Sequence, residues 1–414
     1  MKGTSLTVFA WRNLWRNRRR TLLTLASISF GVFLAVLMTA MQDRNWADMI
    51  DLAAKIGAGH VTVQHPDYLE TPTLTRTVTG LEGIAASASS IPTVVRAVPR
   101  ISGPTMLATA QDSFGAAFIA VDPAQETPET LSVLEAIVDG EMFSSADDKG
   151  IILGARLASN LGAEIGDRVV YTMTDKEGEM ISGVARLRAL VRTGAPTLDG
   201  GLSLLPIGAL RGVLGYNVDE ATQLAVFIDD QRRSDMVAAE LQATLDDDAA
   251  AVPWHRQQPE LSAFIAMKVG GSVFIEAVLA ILIAAGIFNT LFVSVMERLR
   301  EFGILMALGF TPSRLFRLVM LESFWLGGVG LVAAALITAG PYYYLSSQGL
   351  DAAALIGEGM EIAGVGMPPV MKVGLFAKSA VLITLGAMAA TLLAGLYPAW
   401  RAGHVEPAES IKAA

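Results

Sequence analysis

The sequence predicts an α-helical membrane protein with four spans, one followed by three, and a large α+β domain carried outside the membrane between the first span and the second. Three observations predict it. Residues 21–41 carry no charge, and about 20 apolar residues cross the hydrocarbon core as a helix. Three further apolar runs lie towards the C-terminus, at 269–296, 318–345 and 379–397. Between the first run and the second lie more than 200 residues with no stretch long enough to cross.

Composition agrees. Of the 414 residues, 52% are hydrophobic and only 17% are charged, against about 25% charged in an ordinary soluble domain. The mean hydropathy is +0.47. These values exclude a disordered or strongly solvated chain. A net charge of −9 makes nucleic acid a poor partner. Cysteine is absent, so there is no disulfide framework, thiolate metal site or cysteine nucleophile.

Residues 1–20 form a basic cytoplasmic segment with Lys2, Arg12, Arg16, Arg18, Arg19 and Arg20 and no acid. A basic start before an apolar run also fits a secretory signal, but signal cores run about 7–15 residues. The run here is longer and no A-x-A-like site follows, so 21–41 is read as an uncleaved first span. The second span, 269–296, is interrupted only by Glu276, and the third, 318–345, only by Glu322. The fourth, 379–397, has no charge.

Loop charge sets the orientation, because short loops rich in Lys and Arg stay cytoplasmic. The 297–317 loop has four Arg and two Glu, whereas acids outnumber bases by 15 over residues 42–260. The N-terminus, the 297–317 loop and the 398–414 tail are therefore expected in the cytoplasm. The domain at 42–268 and the 346–378 loop are expected outside. This suits a bacterial inner membrane with the domain in the periplasm.

Within 42–268, alternating or β-branched runs at 59–64, 93–98, 116–121, 168–174, 186–192 and 221–228 read as strands. Residues 161–167 read as a turn, and 232–245 has a helical period. Two subdomains are expected, with an insertion near 122–215. The domain offers little chemistry. His60, His65, His255 and His404 form no pair at metal spacing, and no G-x-S-x-G is present. His60 and His65 read as surface histidines, and Asp246, Asp247 and Asp248 as a solvated helix end. No catalytic residue and no metal site are expected.

Glu276 is an intramembrane acid, which by default suggests a functional site. Snorkelling or pairing with Lys268 is the alternative. Glu322 lies near the inner interface, where a favourable helix N-terminal position or pairing with Arg298 or Arg314 is expected. Asn289 reads as a packing residue that could bond across helices.

Residues 297–309 read as a short helix with charges at its start and an apolar body. Gly309 stops it, and Pro312 and Ser313 suit the start of the next helix. Such a helix suits either docking into a partner's groove or lying on lipid with Arg298 and Arg300 at the headgroups. Spacing alone leaves both open.

The stretch Glu297-Arg298-Leu299-Arg300-Glu301-Phe302-Gly303-Ile304-Leu305-Met306-Ala307-Leu308-Gly309 resembles the E-R-x-R-E-[IF]-G-[IV]-L-x-A-L-G segment of the FtsX-like (MacB/LolC/LolE-type) ABC transporter permeases. Arg12-Asn13-Leu14-Trp15-Arg16-Asn17-Arg18-Arg19-Arg20-Thr21 is similar to that family's R-N-L-x-R-x-x-R-R-T. Tyr397-Pro398-Ala399 and Glu406-Pro407-Ala408-Glu409-Ser410-Ile411 look like its C-terminal motif. Gly59-His60-Val61-Thr62-Val63 and Gly154-Ala155-Arg156-Leu157-Ala158 look most like its lipoprotein-releasing members. The likeness is strong over the spans and weak over the outer domain.

The resemblance implies a type VII ABC permease that transmits ATP-driven motion to its periplasmic domain. It implies that Glu297, Arg298, Arg300, Glu301, Gly303, Leu308, Gly309 and Pro312 dock on an ATPase subunit. The chain has no G-x-x-x-x-G-K-[ST], so ATP and Mg are expected on a separate partner, and no cofactor on this chain. Only 20 residues precede the first span, which suits the LolC/LolE arrangement rather than the fused MacB one. A second permease, as homodimer or heterodimer, and lipoprotein cargo passed to a periplasmic carrier are the implied partners, with the lipid membrane as setting. A MacB-like exporter with a periplasmic adaptor, or an FtsX-like regulator of a cell-wall hydrolase, is the alternative.

Overall fold

A computed structural model describes residues 4–351, 357, 361–362, 364–366, 368 and 370–404. The 406–411 motif and parts of the 346–378 loop lie outside the described residues. The chain divides into two compact units, Met1–Asn45 with Ala266–Leu350 and Met371–Ala414, and Trp46–Ile265 with Asp351–Val370.

The first unit is helical. Among the described residues four helices are long and apolar enough to cross a membrane: Arg18–Ile56, Pro259–Glu297, Pro312–Ser347 and Ala377–Gly403. Each contains one of the expected spans and overruns it. Nothing in residues 42–56 breaks the first helix, which holds neither Gly nor Pro there, so it runs on to Ile56 instead of ending at residue 41. A short helix, Thr4–Leu14, precedes the first span.

Apolar periodicity sorts the faces. In the first span Thr21, Thr24, Leu25, Ile28 and Ser29 are buried, while Leu22, Leu23, Ala26, Ser27 and Phe30 are exposed. Leu25 and Ile28 pack with Ile287, Leu291, Leu326 and Ala394. Small residues let the helices close. A Cβ on Gly330 would meet Ile28 Cγ2 at 2.6 Å, and one on Gly395 would meet Ser323 Oγ at 2.4 Å. Such small-residue contacts suit packing in lipid, where hydrophobic burial gives no advantage between helices. Hydroxyls bond back to their own helix, as Thr24 to Arg20 O at 3.0 Å and Thr391 to Ala387 O at 2.8 Å.

The second unit is α+β. Its strands are β1 (Val61–Gln64), β2 (Val78–Thr79), β3 (Val94–Ala108), β4 (Ser113–Val121), β5 (Ile137–Gly140), β6 (Gly150–Gly154), β7 (Arg168–Thr174), β8 (Met180–Val191), β9 (Leu202–Pro206), β10 (Glu220–Ala221), β11 (Gln223–Ile228) and β12 (Ala250–Pro253). The main sheet runs β12-β1-β11-β3-β4-β9-β6-β8-β5, with β7 paired to both β3 and β8. Strands β4–β9 and β6–β8 pair in parallel, while β1–β11 and β3–β4 are antiparallel.

Strand β3 is the seam between two halves. Val94 to Arg100 pair with β11, and Ile101 to Ala108 pair with β4. The inserted half therefore begins near Ile101, earlier than the expected residue 122, because one 15-residue strand serves both halves without a turn to mark the change. Arg100 sits at that switch with no exposed surface. It bonds Glu126 at 2.8 and 2.9 Å, the Thr130 carbonyl at 2.8 Å and the Gly57 carbonyl.

Several expectations change here. His60 is buried, not a surface histidine: Nε2 meets Asp51 Oδ1 at 2.9 Å, and Nδ1 accepts from the Ile228 N–H at 3.3 Å. The 161–167 turn is preceded by a helix, Ala155–Leu161. The 346–378 stretch is more than a loop. Its hairpin Glu361–Ile362 with Val365–Gly366 joins the second unit, where Val365 packs with Met49, Ala53 and Leu261 and Glu361 accepts from the Thr197 N–H at 3.0 Å. Asp246, Asp247 and Asp248 are exposed beyond the Ser234–Gln242 helix. Among the described residues no group of three or more His, Asp or Glu could hold a metal.

Candidate coupling site

Residues 298–311 join the Pro259–Glu297 helix to the Pro312–Ser347 helix. Glu297 closes the Pro259–Glu297 helix, Arg298 turns the chain, and a short helix covers Leu299–Ala307. Gly309 follows at φ +92°, a left-handed conformation that glycine adopts at low cost. Thr311 and Pro312 then start the next helix, proline suiting its first turn.

The two faces of the Leu299–Ala307 helix differ. Phe302 has no exposed surface and Gly303 is buried. Phe302 packs with Val295, Leu315, Val319, Ala399 and Ala402. The opposite face exposes Arg300, Ile304, Ala307 and Leu308, spaced i, i+4, i+7 and i+8. Ile304 is 46% exposed and Leu308 75%. An apolar stripe is thus left open beside one arginine.

Charge holds the helix in place. Arg298 turns inward, with its guanidinium over the Phe302 ring at 5.1 Å from the centroid, and Nη1 donates to both Glu322 oxygens at 3.2 and 3.0 Å. Asn13 donates to the same carboxylate at 2.9 Å. Glu301 bonds Arg16 and, at 3.4 Å, Arg298. Arg20 bonds Glu297 and donates to Ser294 at 2.8 Å. The Arg16 hydrogen bond holds the Glu301 carboxyl below the usual carboxylate range, and Arg16 is correspondingly raised. Two bases from the chain's start are thus matched with two acids some 280 residues later, which fixes the connector helix against the N-terminal segment.

This arrangement redistributes the expected docking residues. Arg300, Leu308, Gly309 and Pro312 are exposed. Glu297 and Glu301 face Arg20 and Arg16. Arg298 and Gly303 point into the chain itself, because Glu322 needs a partner and Phe302 carries its neighbour Gly303 into the core. Ile304 and Ala307 were missed; the Ile304–Leu308 spacing of four was the signal for them. Glu322 pairs with Arg298, one of the alternatives its position offered. Glu276 accepts from Thr39 Oγ1 at 3.2 Å, and Asn289 is exposed, not buried in packing.

Residues 21–244 match the MacB-like periplasmic core domain, and residues 273–407 match the FtsX-like permease C-terminal family. The chain is 24% identical over 340 residues to the lipoprotein-releasing system transmembrane protein LolC of Xylella fastidiosa, covering 79% of this chain and 80% of that one. It is 23% identical over 412 residues to the macrolide export ATP-binding/permease protein MacB of Hyphomonas neptunium, covering 97% of this chain and 60% of the relative. The solved periplasmic region of MacB from Actinobacillus actinomycetemcomitans overlays on 50% of this chain and 94% of its own at a TM-score of 0.34 and 14% identity. With one family covering more than half the chain and the other covering the last three spans around the connector helix, the chain belongs to the FtsX-like, MacB-type ABC transporter permeases.

Proposed function

We propose that this permease releases lipoproteins from the inner membrane to a periplasmic carrier, driven by a separate ATPase subunit that seats on the Arg300, Ile304, Ala307 and Leu308 face. One observation carries the docking part: a helix whose inner face is locked by Phe302 and the Arg298–Glu322 pair, and whose outer face is an open apolar stripe. A push on that stripe moves the ends of the Pro259–Glu297 and Pro312–Ser347 helices together, since both flank the connector. ATP and Mg belong to the ATPase, and a second permease, identical or different, completes the assembly. The LolC relative, matched over most of both chains, supports the lipoprotein reading.

Export with a periplasmic adaptor is the second reading, supported by the MacB relative that spans 97% of this chain. Affinity purification in mild detergent with mass spectrometry separates the two. A lone ATPase with acylated cargo is the expected result, and a membrane-fusion adaptor without acylated cargo overturns the lipoprotein reading. Orientation has its own test. The chain has no native cysteine, so Asp147→Cys should react with an impermeant thiol reagent in intact spheroplasts. Labelling only after lysis contradicts the topology.

A further inference from the structure

We infer that the start of the first span is a binding surface for anionic phospholipid headgroups, with Arg18 and Arg19 on phosphate and Arg12 beside them. The bases of the N-terminal segment fall into two sets. Arg16 and Arg20 are taken up by Glu301 and Glu297. Arg12, Arg18 and Arg19 are exposed, and among the described residues no hydrogen bond or ion pair engages them. The sequence offers no local acid either, since the first one is Asp43.

Helical spacing says which way the second set faces. Arg18 and Arg19 lie one turn before Leu22 and Leu23, which are 57% and 71% exposed, and Phe30 continues the stripe at 61%. Residues four apart share a helix face. The packed face holds Thr21, Thr24, Leu25 and Ile28 instead. Arg18 and Arg19 therefore sit at the end of the lipid-facing stripe, where headgroups lie. The Thr4–Leu14 helix adds exposed Val8, Phe9 and Trp11, with Arg12 one turn beyond Val8. Exposed apolar and indole side chains among bases are the composition of an interfacial helix.

Charge selects the occupant. A second copy seated on this face would bring Arg18 and Arg19 against their own equivalents, and juxtaposed like charges disfavour that contact. The guanidinium fork matches a phosphate with two parallel hydrogen bonds. An anionic phospholipid satisfies the apolar stripe and the bases together. This holds whatever the chain transports.

The test uses the full chain in phosphatidylcholine vesicles, with spin-labelled phosphatidylglycerol or phosphatidylcholine as the probe of lipid immobilised by the protein. Phosphatidylglycerol should be preferred at low salt, and the preference should weaken near 0.5 M salt because the Debye length shrinks. At this site Arg18→Gln/Arg19→Gln should lower it about fivefold per charge removed, whereas Arg18→Lys/Arg19→Lys should lower it less, by the lost bidentate contact alone, and Arg300→Gln should keep it. An unchanged preference in the Gln pair overturns the inference. So does a Gln pair that sheds a second protein copy while its lipid preference stays. If the Gln pair does not insert, a wild-type preference that salt leaves untouched overturns it.

Discussion

Among the described residues two arginine–glutamate pairs are withdrawn from water, one in each unit, and they are built differently. Arg100 and Glu126 have side chains 0% and 1% exposed. The guanidinium meets both carboxylate oxygens, two backbone carbonyls and the Phe227 face at 5.4 Å, and Thr130 donates to Glu126 at 2.6 Å. Arg298 and Glu322 are 11% and 10% exposed. There a single nitrogen serves both oxygens, and Arg298 also shares Glu301 with the exposed Arg16.

The difference is one of alternatives. At the β3 seam Arg100 donates four hydrogen bonds, two to Glu126 and one each to the Thr130 and Gly57 carbonyls. Glu301 is shared between two arginines, Arg16 and, at 3.4 Å, Arg298.

The largest effect should come from breaking the closed pair. A soluble fragment of residues 46–265 should unfold cooperatively, and Arg100→Ala should destabilise it by about 3–5 kcal/mol, because it strands a buried carboxylate. Its melting midpoint should fall by roughly 10 °C. An Arg100→Met/Glu126→Leu fragment should recover much of that loss. If Arg100→Ala melts like wild type, the seam is not where stability is concentrated.

Arg298→Ala should cost less, about 2 kcal/mol, and locally. Limited proteolysis of inverted vesicles should then cut within 297–317 faster, while the α+β domain keeps its melting behaviour. Equal loss of stability in both regions would contradict the division of roles.

Acid should separate the regions next. Burial pushes the Glu220 carboxyl up, but the Asn217 N–H, Lys176 and Thr77 pull it down further, and it ends below the usual range. A carboxylate depressed on folding contributes stability above its unfolded pKa, near 4.3, and loses it as pH falls through the lowered folded value. The 46–265 fragment should therefore hold its stability from pH 7 to about 5 and lose it below about 4. Glu301 has the same sign, but Arg16 and Glu301 are 58% and 42% exposed. That pair contributes at most about 1 kcal/mol, and added salt should remove most of it.

Legibility in the sequence followed the range of the interactions. Spans were readable because lipid forbids charge over about 20 residues, and the connector helix because Gly309 and Pro312 punctuate it. Membrane depth narrowed Glu322 to a helix N-terminal position or a pair with Arg298 or Arg314, and packing chose Arg298. The pairing of Arg16 with Glu301 was not, since residues 285 apart share no local period. The β3 seam was hidden for the opposite reason: its change of partner occurs within one unbroken strand. His60 looked like a surface residue because the alternation of its strand does not show that both faces are covered, so all four residues of β1 are buried. Arg298 and Gly303 lay within the docking motif, and the Glu322 carboxylate and the packing of Phe302 turn them inward.

The account rests on the open face of the connector helix, and Ile304→Glu/Leu308→Glu tests it most directly. These side chains are exposed, so the permease should still insert and its α+β domain should still melt normally. Co-purification of the ATPase should be lost, and ATP hydrolysis should no longer respond to the permease. Full ATPase yield and retained transport in this double variant would contradict the coupling assignment.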